Sequence, residues 1–221
     1  MQRILEPEVM DTLEEAVAYD AMDFAAINQD FAQKAVSLCP KQNALILDMG
    51  TGTARIPIFI CEMRPQWQII ATDLAQNMLK IATQNLQQFN LQQQIQLQVA
   101  DAKNLPYENE QFDLVISNSL VHHLPEPLLF FQELKRVIKP HGGILIRDLF
   151  RPANTEIVDN LVENIGTEYD ETQKKLFHDS LCAALTLDEV NQLIDQVGLT
   201  DVQVYQSSER HWTVERQCTN M

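Results

Sequence analysis

The chain has 221 residues, 45% hydrophobic and 21% charged, with a formal charge of −15 at pH 7. Such a composition excludes a disordered polymer and supplies apolar material for one domain with its own core. Sixteen Lys and Arg, scattered among 31 Asp and Glu, disfavour a nucleic-acid substrate, whose affinity rests on cationic side chains.

Residues 1–38 begin acidic and then turn helical. Leu13 and Val17, then Ile27, Phe31, Ala35 and Leu38, recur at three- and four-residue steps and predict two amphipathic helices. The start has no signal-peptide core and no run approaches membrane-spanning length. The four cysteines form no C-x-x-C pair, which predicts free thiols, no metal or redox role, and a soluble cytoplasmic protein.

The stretch Ala44 to Arg55, ALILDMGTGTAR, reads as a buried strand ending in a tight loop, followed by a helix over Ile56–Met63 with Pro57 in its first turn. Gly50 and Gly52 can take positive φ and let a ligand lie against the backbone. This is a nucleotide-type ligand site. A dinucleotide site would carry G-x-G-x-x-G, but Arg55 stands where the third glycine belongs. Asp48, just before the glycines, would repel a pyrophosphate and suits a cationic ligand.

A second strand, Trp67–Asp73, places Asp73 at its tip 21 residues after Gly52, the βαβ spacing at which a carboxylate meets ribose hydroxyls. Asp73 could equally cap the next helix, Ala75–Phe89. A glutamine-rich surface follows, containing the strand Ile95–Val99. The fourth strand, Phe112–Ser119, leads into the loop Asn118–Pro127 and the helix Leu128–Ile138. Pro140 to Gly143 turns into the fifth strand, Ile144–Phe150, where Arg147 and Asp148 are expected to pair. Residues 151–185 carry two helical stripes, Ile157, Leu161, Val162, Ile165 and Leu176, Phe177, Leu181, Leu185. Thr186 opens a helix with a capping pattern and Gly198 ends it. Residues 201–206 and 211–217 alternate as a closing hairpin.

In Asp48, Gly50 and Gly52, with Ala54 replacing a last glycine, the chain resembles the class I (Rossmann-like) S-adenosylmethionine-dependent methyltransferases, whose first motif reads D/E-x-G-x-G-x-G. Ala100-Asp101-Ala102 with Leu105-Pro106 resembles their third motif, and Lys139-Pro140-His141-Gly142-Gly143 a later one. The resemblance implies an α/β doubly wound, mostly parallel seven-stranded sheet with its last strand antiparallel, and S-adenosyl-L-methionine as cofactor. It implies cofactor contacts from Asp48, Gly50, Thr51, Gly52, Asp73, Leu74 (flat against adenine), Asp101, Ala102 and Asn118. One domain is expected: a helical lid segment 1–38, a cofactor-binding core 39–150, a helical insertion 151–185, and a closing helix and hairpin 186–221.

Many small-molecule members carry a Tyr-Asp pair before the first motif, so Tyr19 is expected to cap the cofactor pocket, roofed further by the insertion. The base N-methylases carry D/N-P-P-Y/F after the fourth strand, which Asn118-Ser119-Leu120-Val121 lacks. A small-molecule methyl acceptor is therefore expected, without nucleic acid or membrane. The alternatives are a protein or tRNA substrate, a dinucleotide oxidoreductase, or a non-catalytic cofactor binder. His123, His122 and Tyr19 are the candidate catalytic residues; packing of the loop against its helix is the competing role for the histidines. Arg210 and His211 are weaker candidates, since their turn could lie at either end of the sheet. Adjacent histidines on a helix or strand should diverge and lack H-x-x-x-H spacing, so no metal is expected.

Overall fold

A computed structural model describes residues 1–6, 9, 11–22, 24–166 and 169–219. Seven strands form one sheet in the order β3-β2-β1-β4-β5-β7-β6. They are β1 (Leu45–Met49), β2 (Gln68–Asp73), β3 (Ile95–Val99), β4 (Phe112–Asn118), β5 (Ile138–Leu149), β6 (Gln203–Gln206) and β7 (His211–Arg216). β1 to β5 pair in parallel, and β7 runs antiparallel to both β5 and β6.

The strand order reverses between β1 and β4, which opens a crevice at their carboxyl ends, where ligands of open α/β sheets bind. Continuous apolar runs in β1 and β4 follow from burial on both faces: Ile46, Leu47, Leu114, Val115 and Ile116 are fully buried. On one face lie α2 (Ala25–Leu38), α3 (Arg55–Met63) and α4 (Gln76–Phe89); on the other lie α5 (Pro127–Val137) and α8 (Leu187–Val197). The capping box read at Thr186 forms with Glu189, and Gly198 ends α8 at φ 63°.

The structure corrects four expectations. Helix α1 (Leu13–Asp20) leaves Leu13 and Val17 half exposed and buries Ala16 instead. Ala16 packs on Ala75, Met78 and Ile81, and Asp20, one turn later on the same face, points at α3. β5 starts directly after α5, so Pro140 to Gly143 belong to the strand. Side chains at Gly142 and Gly143 would meet Ile138 at 2.6 Å and Leu114 at 2.9 Å, so only glycine fits where the β4 register shifts. Of the insertion stripes, Ile157 and Leu176 are exposed, while Val158 and Leu181 are buried in the small core beneath α6 (Thr155–Glu163) and α7 (Glu171–Ala183).

Arg147 and Asp148 do not pair, because neighbours on a strand face opposite sides of the sheet. Arg147 donates to Asn118, Asp30 and the Ile27 carbonyl and lies 4.8 Å over the Phe31 ring. Asp148 is buried on the other face.

Candidate functional site

A cleft of about 130 Å³ sits at the carboxyl ends of β1, β2 and β4. Gly50, Gly52, Asp73, Leu74, Asp101, Ala102 and Asn118 line it, as do Tyr19, Leu120 and His123. Asp48 and Thr51 do not: Asp48 is buried beneath the loop. Burial pushes its carboxyl to about 7, with the charge of Asp73 adding to the rise.

The glycines serve neighbours within the chain. Gly50 has φ 76° and Gly52 φ 56°, and a side chain at Gly50 would collide with Leu120 at 2.9 Å. Space over Gly50 is thus taken by Leu120, which Ser119 at φ 57° turns under the loop. At Gly52 the nearest neighbour is the Tyr19 ring. Ala54, where the motif has glycine, adopts φ 62°, a left-handed conformation that strains an alanine.

The loop amides are also spent internally. Gly50 and Thr51 donate to the Thr72 carbonyl at 2.9 and 2.8 Å, and Gly52 donates to Asp73 Oδ2 at 2.8 Å. A pyrophosphate would find the amides of Gly50, Thr51 and Gly52 already engaged, and the carboxylates of Asp73 and Asp101 in the lining beside a single lysine, Lys103, which is paired with Asp101. A cofactor with a cationic centre and no phosphate fits this lining. Asp73 forms the helix cap read as its alternative role, its second oxygen accepting from the Ala75 amide at 2.9 Å, and it also lines the cleft. Burial raises its pKa, against the amides of Ala75, Gly52 and Leu74. Asp101 closes a turn onto the Lys103 amide and pairs with Lys103 Nζ at 3.0 Å.

Tyr19 reaches the cleft because Asp20 is clamped. Both Asp20 oxygens accept from Arg55, at 2.9 and 2.7 Å, and Asn85 donates to one of them. Arg55, read in the sequence only as a missing glycine, fastens α1 to the cofactor loop. Sequence position gave one hint of this, the Tyr-Asp pair itself.

The two histidines lie in a 3-10 turn, Val121–His123. The expectation that they diverge is wrong: their rings are 4.1 Å apart, because both imidazoles converge on Glu6 Oε1, at 3.4 and 3.1 Å. His122 is buried, lies outside the cleft lining, and its Nδ1 is 2.5 Å from Asp148 Oδ1. Burial lowers the His122 pKa, but the charges of Asp148 and Glu6 outweigh it and raise the net value. His123 lines the cleft, with Nδ1 3.1 Å from Glu6 Oε1. Glu6 was not foreseen, because nothing local to residue 6 marks it.

Residues 1–6 form a strap over this turn. Arg3 donates to the carbonyls of His122, Leu124 and Ala183, and Ile4 donates to Cys182. The insertion holds that strap, and none of its described residues lines the cleft, so it is not the roof expected. The final hairpin tip does lie at the ligand edge, since His211 pairs with Leu149 at the end of β5. Arg210 stacks over Phe177 and His211, lowered to about 4 by burial, bonds Ser208; neither lines the cleft. No helix of the described residues is long and apolar enough to cross a membrane.

The sheet order, the reversed last strand and a cleft lined by Asp73 and Asp101 at the strand tips match the class I methyltransferase fold. Residues 40–215 match a methyltransferase-domain family model, and the chain belongs to that family. It is an S-adenosylmethionine-dependent methyltransferase, and the oxidoreductase alternative is set aside. It is 27% identical over 173 residues to a demethylmenaquinone methyltransferase of Lactobacillus johnsonii, covering 73% of this chain and 70% of that one. It is 28% identical over 182 residues to a malonyl-[acyl-carrier protein] O-methyltransferase of Marinomonas sp., covering 82% and 65%. A solved structure from Methanococcus maripaludis, described as an S-adenosyl-L-methionine-dependent methyltransferase, superposes with TM-score 0.73 over 99% of both chains at 18% identity.

Proposed function

We propose that this methyltransferase acts on a small-molecule acceptor held between Tyr19 and the 3-10 turn. The observation that carries this reading is the size and cover of the cleft: about 130 Å³, with Tyr19 on one side and Leu120, His123 and Leu124 on the other. The demethylmenaquinone methyltransferase named above is consistent with it. The acidic surface balance argues against tRNA.

The cofactor is assigned to Asp73 for the ribose hydroxyls, Leu74 for a face of the adenine, and Asp101 with the Ala102 amide for the adenine edge. Gly50, Thr51, Gly52 and Asn118 shape the floor, and Asp48 supplies negative charge beneath a cationic end group. Bound S-adenosylmethionine supplies an activated methyl, so transfer depends chiefly on alignment and exclusion of water. Tyr19 on α1 closes the mouth, as the lid expected of the N-terminal segment. His123 presents its ring to the acceptor, and His122 positions that ring from behind rather than touching substrate.

A screen of small molecules, tRNA and protein extracts, read by S-adenosylhomocysteine release, tests this. Release with a small molecule alone supports the reading. Release with tRNA or protein alone overturns it.

A further inference from the structure

We propose that Glu6, His122 and His123 bind a divalent transition-metal ion of the zinc class at the acceptor end of the cleft. One ligand atom from each lies within 4.8 Å of the others. Glu6 Oε1 is 3.4 Å from His122 Nε2 and 3.1 Å from His123 Nδ1. With metal–ligand bonds of about 2.0–2.2 Å, adjacent ligands stand roughly 3–3.5 Å apart, so these separations are coordination edges. The three side chains are 8%, 4% and 19% exposed, so solvent does not disperse their charge.

Hydrogen-bond geometry aims the lone pairs of the cluster at one point. Asp148 accepts from the amides of Val121, His122 and Leu149 and faces His122 Nδ1 at 2.5 Å. That bond places the ring proton on Nδ1, so a neutral His122 turns the lone pair of Nε2 toward Glu6. Lone pairs of a nitrogen and a carboxylate oxygen 3.4 Å apart repel unless a positive charge sits between them. A divalent ion held by Glu6 Oε1, His122 Nε2 and His123 Nδ1 supplies that charge.

The supporting shell is built as metal sites build it. Asp148–His122 is the carboxylate–imidazole pair that orients a metal-bound histidine. Ser180 Oγ lies 3.2 Å from both Glu6 oxygens and fixes the carboxylate plane. His123 belongs to the cleft wall as well as to the cluster, so a fourth ligand is available from that side.

The full chain, stripped with chelator and dialysed, should bind one equivalent of Zn²⁺ by calorimetry and give a ligand-field spectrum with Co²⁺. Glu6→Gln, isosteric and on the strap, should weaken binding at least about tenfold with the fold intact by circular dichroism. His123→Asn serves as the second variant if Glu6→Gln does not fold. A folded chain that takes up no Zn²⁺ at micromolar concentration overturns the proposal. So does unchanged binding in the folded variant, which would place the ion on other histidines. Neither readout involves methyl transfer, so failure here leaves the small-molecule reading standing.

Discussion

The cleft has two halves built on different principles. The half proposed for the cofactor is assembled from strand tips: Gly50 and Gly52 after β1, Asp73 ending β2, Asp101 after β3. Each is placed by a few residues of local chain, and their mutual positions follow from strand order. The acceptor half is assembled across the whole molecule. Its 3-10 turn is held by Asp148 from β5, by Arg3 and Glu6 from the first residues, and by α7 behind them. A half made of local pieces keeps one chemistry; a half made of long-range contacts can be changed by altering one remote segment.

The comparison breaks most readily at Asp73. Asp73→Ala removes a carboxylate that accepts from Gly52 and Ala75 and is proposed to hold the ribose, with hydrogen bonds to a charged group worth about 1.5–3 kcal/mol each. S-adenosylhomocysteine affinity measured by calorimetry should fall at least tenfold and by up to a hundredfold. Unchanged affinity would reduce Asp73 to a helix cap.

Asp48 sharpens the comparison through pH. Its carboxyl, raised to about 7, stays protonated in the folded chain while ionising from about pH 4 in the unfolded one. Stability from this group is therefore full at low pH and declines as pH rises toward 7. Ligand binding runs the other way: affinity for the ammonium-bearing product should rise about tenfold from pH 6 to 8, following ionisation of Asp48. Asp48→Asn should flatten both profiles, in thermal melts and in calorimetry.

Smaller effects are expected where the halves join. Arg55→Ala releases Asp20 and lets α1 swing, and a partly exposed pair of this kind is worth about 1 kcal/mol. Cofactor KM should rise severalfold with kcat little changed. Smallest of all, Ala54→Gly relieves the left-handed alanine and should raise stability by up to about 1 kcal/mol in chemical denaturation. A loss of stability would show that the Ala54 methyl, fully buried, matters more than its backbone.

How far the sequence could be read follows the same divide. Apolar runs and glycine punctuation marked the seven strands, and β3 was read to the residue. Strand-tip spacing gave Asp73 and Asp101, because those contacts are made within one βαβ unit. Gly50 takes the positive φ read for it, but its close approach to Leu120 was not legible, since Leu120 lies 70 residues away in sequence. Glu6, the Asp20–Arg55 clamp and the Asp148–His122 pair escaped for the same reason. Alternation along β5 does put Arg147 and Asp148 on opposite faces, so that correction was available from the strand period alone.

Removal of residues 1–6 tests the division most directly, because among the described residues the hydrogen bonds and ion pairs of the strap run to the 3-10 turn, to Leu124 and to the insertion. With an acceptor found by the product-release screen, the truncated chain should bind S-adenosylhomocysteine within about twofold of the full chain and lose at least tenfold in methyl transfer. A truncated chain that methylates at the full rate, or that loses cofactor affinity in step with turnover, would contradict the account.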